Sequence, residues 1–175
     1  MPETAIAIAV PEADPLVDLL RREHTRDGGD GMPAHITLLY PFTETDTLVA
    51  RRLGRVREVL AAFAACEIEF AETRRFALKP EAVLWLAPSP SEQLVAMIDA
   101  LATEFPEHPP FGGRFDSIVP HLTLAVTADS GVLDRIESEV TRALPIRARI
   151  VQAALYEHAA TGWRERSRFE LGPFS

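Results

Sequence analysis

The chain has 175 residues, of which 47% are hydrophobic and 25% are charged, and these values are ordinary for a globular protein. This length predicts one domain over residues 1–175, large enough to bury a substantial core. The formal net charge of −8 disfavours a surface for long nucleic acids, because proteins that make many phosphate contacts are usually basic.

The single cysteine, Cys66, excludes an intramolecular disulfide and is typical of a reducing compartment. The N-terminus lacks the basic region of a secretory signal, and its apolar run Ala5–Val10 is too short for one. No stretch approaches the length of a transmembrane helix. We therefore expect a monomeric cytoplasmic protein that has no membrane partner.

Hydrophobic spacing predicts two similar successions of strands and helices. In the first half we expect a strand at Ala5–Val10, a helix at 14–24, a glycine-rich loop, a strand that ends at Pro41 and Phe42, a helix at 47–64 capped by Thr45 or Asp46, and an extended segment at Glu67–Leu78. In the second half we expect a strand at Ala82–Leu86, a helix at 91–104 with Ser91 as its cap, a shaped loop at 106–119, a strand, a helix at 132–143 that follows Asp129, and final strands at 146–157 and 164–171.

One short motif occurs at the same place in each half. His35-Ile36-Thr37-Leu38 is followed 86 positions later by His121-Leu122-Thr123-Leu124. Side chains alternate along a strand, so the histidine and threonine of each copy share a face and lie roughly 7 Å apart. This alternation places His35, Thr37 and Leu39 opposite Ile36, Leu38 and Tyr40 on the first strand, and His121, Thr123 and Ala125 opposite Leu122, Leu124 and Val126 on the second.

Two imidazoles and two hydroxyls in one cleft would suffice for acid–base chemistry on a phosphodiester. One histidine can remove a proton from the attacking oxygen while the other protonates the leaving oxygen, because the ordinary pKa of histidine lies near neutrality. The threonine hydroxyls can hydrogen-bond the phosphate oxygens. We expect no metal or cofactor, since the sequence has no His-x-x-x-His, no cysteine pair and no compact His/Asp cluster.

The duplicated motif resembles the 2H phosphoesterase superfamily, which includes bacterial 2′-5′ RNA ligases and cyclic phosphodiesterases. The stretches Gly31–Phe42 and Pro109–Thr123 are similar to the same family. The resemblance implies an α+β fold of two pseudo-symmetric lobes, each a mainly antiparallel sheet with helices outside, around a central cleft. It implies that His35 and His121 are the acid–base pair, in either order, and that Thr37 and Thr123 hold the phosphate. The implied substrate is a cyclic (2′,3′ or 1″,2″) or 2′-5′ phosphodiester of a nucleotide or short RNA.

Other residues are weaker candidates for substrate contacts. Tyr40 and Phe42 can stack on a base or pack in the core, and Tyr156 can border the cleft or lie in the core. Arg114, before the second motif, can reach a phosphate. We expect Trp85 to be a core residue, His24 and His108 to be exposed, and most arginines, Arg21 included, to lie on a solvated face.

Three hypotheses remain open at this point. The first is a metal-independent phosphoesterase that uses both motifs. The second is a nucleotide- or RNA-binding module that keeps the cleft without turnover. The third gives both motifs a structural role and places the cleft elsewhere.

Overall fold

A computed structural model describes residues 3–42, 49–114 and 117–174 and contains two four-stranded antiparallel sheets. The first sheet has the order β2-β1-β7-β8 and the second has the order β5-β4-β3-β6. The strands are β1 (Glu3–Ala9), β2 (His35–Leu39), β3 (Cys66–Leu78), β4 (Glu81–Ser89), β5 (Leu122–Thr127), β6 (Ile146–Ile150), β7 (Gln152–Ala159) and β8 (Gly162–Glu170). This arrangement confirms the predicted α+β fold with two antiparallel sheets.

Five α-helices connect the strands of the described chain. They are α1 (Asp14–His24), α2 (Arg26–Gly29), α3 (Val49–Ala61), α4 (Glu92–Glu104) and α5 (Ser130–Thr141). The short helix α2 replaces part of the predicted glycine-rich loop, and the Thr25 hydroxyl caps it by accepting from the Gly28 amide at 3.0 Å. Asp129 caps α5 in the same way, whereas Ser91 occupies the cap position of α4 without a side-chain hydrogen bond. The predicted cap at Thr45 or Asp46 lies outside the described residues.

The prediction of one strand over 146–157 was wrong, because the chain changes sheets within it. β6 ends at Ile150 and pairs with β3 of the second sheet, whereas β7 begins at Gln152 and pairs with β1 of the first. Residues 146–157 therefore form two strands on either side of Val151. A local apolar pattern cannot reveal this change, since the partner strands that define the two sheets lie far away in the chain.

The helices join the two halves by crossing from one to the other. α1 follows β1 of the first sheet but packs against β5 of the second, and α4 follows β4 of the second sheet but packs against β2 of the first. One core cluster includes residues of both sheets, among them Ile8, Leu38, Leu84 and Leu124. Because each of these helices packs against a motif strand of the other half, the two motif strands are brought together.

None of the described helices is both long enough and apolar enough to cross a membrane.

Candidate active site

The two His-x-Thr motifs lie along the edges at which the two sheets meet. β2 is an edge strand of the first sheet, β5 is an edge strand of the second, and the two strands contact each other. His35 begins β2, and His121 directly precedes β5. His35, Thr37, His121 and Thr123 all line one cavity of about 580 Å³. This placement argues against the hypothesis that the motifs are structural and the cleft lies elsewhere.

Each motif strand has a bulge directly after its threonine. On β2 the register moves from Thr37 opposite Ala7 to Leu39 opposite Ile6, so Leu38 is an extra residue. A bulge shifts the alternation of side chains by one position. The prediction that Leu39 shares the face of His35 was therefore wrong: Leu39 is buried in the core, and Tyr40 lines the cavity.

The second motif strand repeats this irregularity at the equivalent position. Thr123 lies opposite Trp85 and Ala125 lies opposite Leu84, which makes Leu124 the extra residue. Ala125 is buried in the core, and Val126 lines the cavity, which again reverses the predicted faces. The bulges therefore extend each polar face by one aromatic or aliphatic side chain.

Both imidazoles are oriented by a carbonyl two residues upstream. The Nδ1 of His35 lies 2.8 Å from the carbonyl oxygen of Pro33, and the Nδ1 of His121 lies 2.7 Å from that of Val119. A carbonyl oxygen only accepts, so each Nδ1 carries a hydrogen and donates it. Each neutral ring therefore has its lone pair on Nε2, which is the nitrogen that can exchange a proton with a substrate.

Burial lowers the pKa of both histidines. Desolvation is the main cause of a pKa of about 4 at His35, and the neighbouring Arg21 guanidinium lowers it further, while Asp27 opposes the shift. Burial also lowers the pKa of His121 from its ordinary value. Both rings are consequently neutral at neutral pH in the free protein.

Arg21 is a buried residue that joins the two motifs, and its prediction as a solvated side chain was wrong. Its side chain donates to the Thr123 carbonyl at 2.5 Å and to the Asp27 carboxylate at 2.9 Å. The same Asp27 oxygen lies 3.8 Å from Nε2 of His35. The guanidinium lowers the pKa of Asp27 despite the opposing effect of burial, so this carboxylate is charged at neutral pH. Arg21 is only 1% exposed because α1 packs against the strand of the other half.

Aromatic side chains form the wall of the cavity that adjoins the first sheet. The ring of Tyr40 makes edge contacts with Phe111 and Trp163, at centroid distances of 6.4 and 6.5 Å. The Tyr40 hydroxyl donates to Glu3 at 3.0 Å. His158 also lines the cavity and lies 3.2 Å from an Asp30 oxygen.

The sequence reasoning missed Asp27, Asp30, His158 and Trp163 as residues of the cavity. The pairing of β7 with β1 and of β8 with β7 brings His158 and Trp163 there, and no local motif marks either residue. Thr25 was the one local signal that could have indicated Asp27. Threonine is a favoured N-cap residue, and a cap at Thr25 places Asp27 in the first turn of a helix.

Several of the weaker candidates lie away from the cavity. Phe42 is completely buried and packs against Phe105, and Tyr156 is 4% exposed beneath Met32 and Trp163. Neither ring offers a surface to a substrate, so the structure contradicts a direct contact for both. The sequence around Phe42 and Tyr156 does not show whether each ring is buried in the core or is free to stack on a base.

Trp85 and the isolated histidines complete the comparison with the sequence predictions. Trp85 is buried, as predicted, and its ring edge contacts His121. His24 and His108 are half-buried rather than exposed, and His108 lies against the ring of Phe42. Arg114 is exposed, and its contact with a phosphate stays a prediction.

The comparison with protein families agrees with this architecture. Residues 9–162 match the family model of the 2′-5′ RNA ligase superfamily. The chain belongs to this superfamily. The resemblance to 2H phosphoesterases is thereby confirmed, and membership supports an enzyme of the phosphodiesterase or RNA ligase type.

Solved structures with the same fold cover almost the whole chain. TT0787 of Thermus thermophilus superposes with a TM-score of 0.65 at 17% identity, and the match covers 98% of each chain. Escherichia coli LigT complexed with NADP+ superposes with a TM-score of 0.60 at 18% identity over 97% of each chain. LigT complexed with 3′-AMP has a TM-score of 0.58 at 17% identity over 98% of each chain. No curated protein matches the sequence.

Proposed function

We propose that this member of the 2′-5′ RNA ligase superfamily is a metal-independent phosphoesterase. It acts on a cyclic (2′,3′ or 1″,2″) or 2′-5′ phosphodiester of a nucleotide or short RNA. The observation that carries the proposal is that both His-x-Thr pairs line one cavity, with both rings held as Nδ1–H tautomers by backbone carbonyls. The proposal gives His35 and His121 the proton transfers and gives Thr37 and Thr123 the hydrogen bonds to the phosphate.

In the proposed hydrolysis, the Nε2 of one histidine takes a proton from water as the water oxygen bonds to phosphorus. The bond from phosphorus to the leaving oxygen breaks, and the Nε2–H of the other histidine protonates that oxygen. The threonine hydroxyls donate to the non-bridging oxygens, where negative charge increases. Each proton transfer typically contributes about 10²–10⁴-fold to the rate.

The surroundings of the two rings favour His35 as the base and His121 as the acid. The pKa of about 4 at His35 keeps this ring unprotonated and ready to accept. After it accepts a proton, the Asp27 carboxylate at 3.8 Å stabilises the resulting imidazolium. For the acid, an anionic phosphodiester beside His121 favours the protonated ring, which opposes the effect of burial.

Three observations support a nucleotide or short RNA as the substrate. The net charge of −8, together with Glu3, Asp27 and Asp30 on the cavity, disfavours a long polyanion. LigT, which has a similar fold, has been crystallised with 3′-AMP and with phosphate. Tyr40 and Trp163 offer aromatic surface on which a base can stack.

The decisive experiment is hydrolysis of nucleoside 2′,3′-cyclic phosphates and 2′-5′ dinucleotides by protein treated with a chelator. We expect turnover without metal, and a loss of at least about a hundredfold in His35→Ala and in His121→Ala. His24→Ala, which changes a histidine outside the cavity, is the matched control and should keep full activity. Undiminished activity in either motif variant would refute the assigned site, and loss of activity on chelation would refute the metal-independent mechanism.

The same experiment separates the enzyme from a binding module. If calorimetry shows binding of a cyclic nucleotide but no product forms on long incubation, the protein is a nucleotide-binding module that retains the cleft.

A further inference from the structure

The two walls of the cavity differ in chemistry. The wall adjoining the first sheet mixes polar with apolar and aromatic side chains: Glu3, Arg26, Asp27, Asp30 and His158 beside Ala5, Met32, Tyr40 and Trp163. The opposite wall consists of Ala77 and six larger apolar residues, and we call these six the apolar wall: Phe76, Leu78, Val83, Ile118, Val119 and Val126. Within the described chain, Ser117 is the polar residue that borders this wall outside the His-x-Thr motifs. A substrate held between the histidines therefore meets charged groups and aromatic rings on one side and mainly hydrocarbon on the other.

The register of the second sheet explains why these apolar side chains form a continuous surface. Phe76 on β3 pairs with Val83 on β4, and Val83 pairs with Val126 on β5. Residues directly opposite each other on neighbouring strands share a face. Val126 belongs to this row only because the bulge at Leu124 turns it away from the core.

The rim of the apolar wall is exposed to solvent. Leu78 is 44% exposed and Val119 is 43% exposed, and both line the cavity. Large apolar side chains that are exposed together beside a cavity are a mark of a binding surface. Covering them with an apolar group would remove hydrocarbon from water.

The apolar wall is continuous with the proposed catalytic residues. The ring of His121 makes an edge contact with Phe76 at a centroid distance of 5.1 Å. The Val119 carbonyl orients the same ring. A group that lies on this wall is therefore attached to the phosphate on the side of His121, which is the side of the leaving oxygen in the mechanism above.

We propose that the apolar wall binds an apolar ester group, so that the cavity also accepts a phosphodiester that joins a polar group to an apolar one. This inference rests on the proposed phosphoesterase activity and goes beyond its nucleotide and RNA substrates. The described residues of the wall supply no cation and only one hydroxyl, so they offer little to the polar atoms of an ester group. A hydrocarbon chain or an aromatic ring needs neither a cation nor a hydroxyl.

The test measures the affinity of simple phosphates by calorimetry, so it does not depend on turnover. The probes are inorganic phosphate and its methyl, butyl, hexyl and phenyl monoesters. If the wall covers the ester group, each added methylene should tighten binding by about three- to fourfold until the wall is filled. Comparison of hexyl with phenyl phosphate shows whether an aliphatic or an aromatic group fits better.

The variants Leu78→Ser and Val126→Thr should weaken hexyl phosphate by about three- to tenfold and leave inorganic phosphate unchanged. Val151→Ser is the matched control, since Val151 is also 44% exposed but lies outside the cavity. Equal affinities across the ester series would overturn this inference and leave the proposed function standing. Failure of every phosphate to bind would overturn both.

Discussion

The lowered pKa of His35 makes a prediction about stability that tests the physical basis of the site. Folding moves this pKa from 6.5 to about 4, mainly because the ring is buried and also because Arg21 is near. The unfolded chain therefore binds a proton at a higher pH than the folded protein. His35 therefore does not affect the free energy of unfolding above pH 6.5. Its contribution lowers the free energy of unfolding as the pH drops from 6.5 to about 4, and this decrease levels off at lower pH.

The size of the effect follows from the two pKa values. A difference from 6.5 to about 4 lowers the free energy of unfolding by about 2 kcal/mol at pH 5 and by about 3 kcal/mol at pH 4. The effect is measured by urea unfolding of wild type and His35→Asn between pH 7.5 and 4. Asparagine is chosen because its amide can still donate to the Pro33 carbonyl, which now accepts from Nδ1.

The difference in stability between wild type and His35→Asn should move by about 2 kcal/mol in favour of the variant as the pH falls from 7 to 5. Thr37→Val changes the neighbouring cavity residue but removes no titrating group, so this control should retain the wild-type pH dependence. Parallel curves for wild type and His35→Asn would show that the ring titrates alike in both states, and the argument from burial would then be wrong.

Three further outcomes follow from the same geometry. The pH optimum of kcat/KM should lie below 6.5, since burial lowers the pKa of both histidines, whereas an optimum above pH 7.5 would contradict that effect. Asp27→Asn should move the acidic limb of the kcat/KM profile to lower pH, because the carboxylate supports protonated His35. Asp30→Asn, a second cavity carboxylate, should leave that limb in place. Phe42→Ala should lower the free energy of unfolding by about 3–5 kcal/mol in urea titrations and leave phosphate affinity unchanged, and a selective loss of affinity would place Phe42 in the site after all.

Much of the site was predictable because it depends on the alternation of side chains along each motif strand. His35 and Thr37 share a face for the same reason that His121 and Thr123 do, since successive side chains of a strand point in opposite directions. The same alternation failed directly after each threonine. The bulges at Leu38 and Leu124 arise from pairing with β1 and β4, so the motif strands alone do not reveal them.

The buried ionic contacts were less predictable. The sequence predicts that Arg21 lies on the solvated face of an amphipathic helix, because the charge pattern of α1 does not show which strand covers this side chain. The crossing of α1 onto β5 buries its guanidinium between the Thr123 carbonyl and Asp27. A buried arginine is stable only when such partners exist, and the Thr123 carbonyl comes from the other half of the fold.

The sequence by itself determined the reacting side chains and their duplication. Each motif strand has one apolar face and one face that carries the histidine and threonine, and this alternation is a local property of the chain. It also determined the class of fold, through the repeated succession of strands and helices. Only the tertiary structure decided how the rings titrate, which carboxylate supports His35, and which wall of the cavity is hydrocarbon. Burial, pairing register and the crossing of helices depend on residues far apart in the chain, and those contacts exist only once the two halves have packed together.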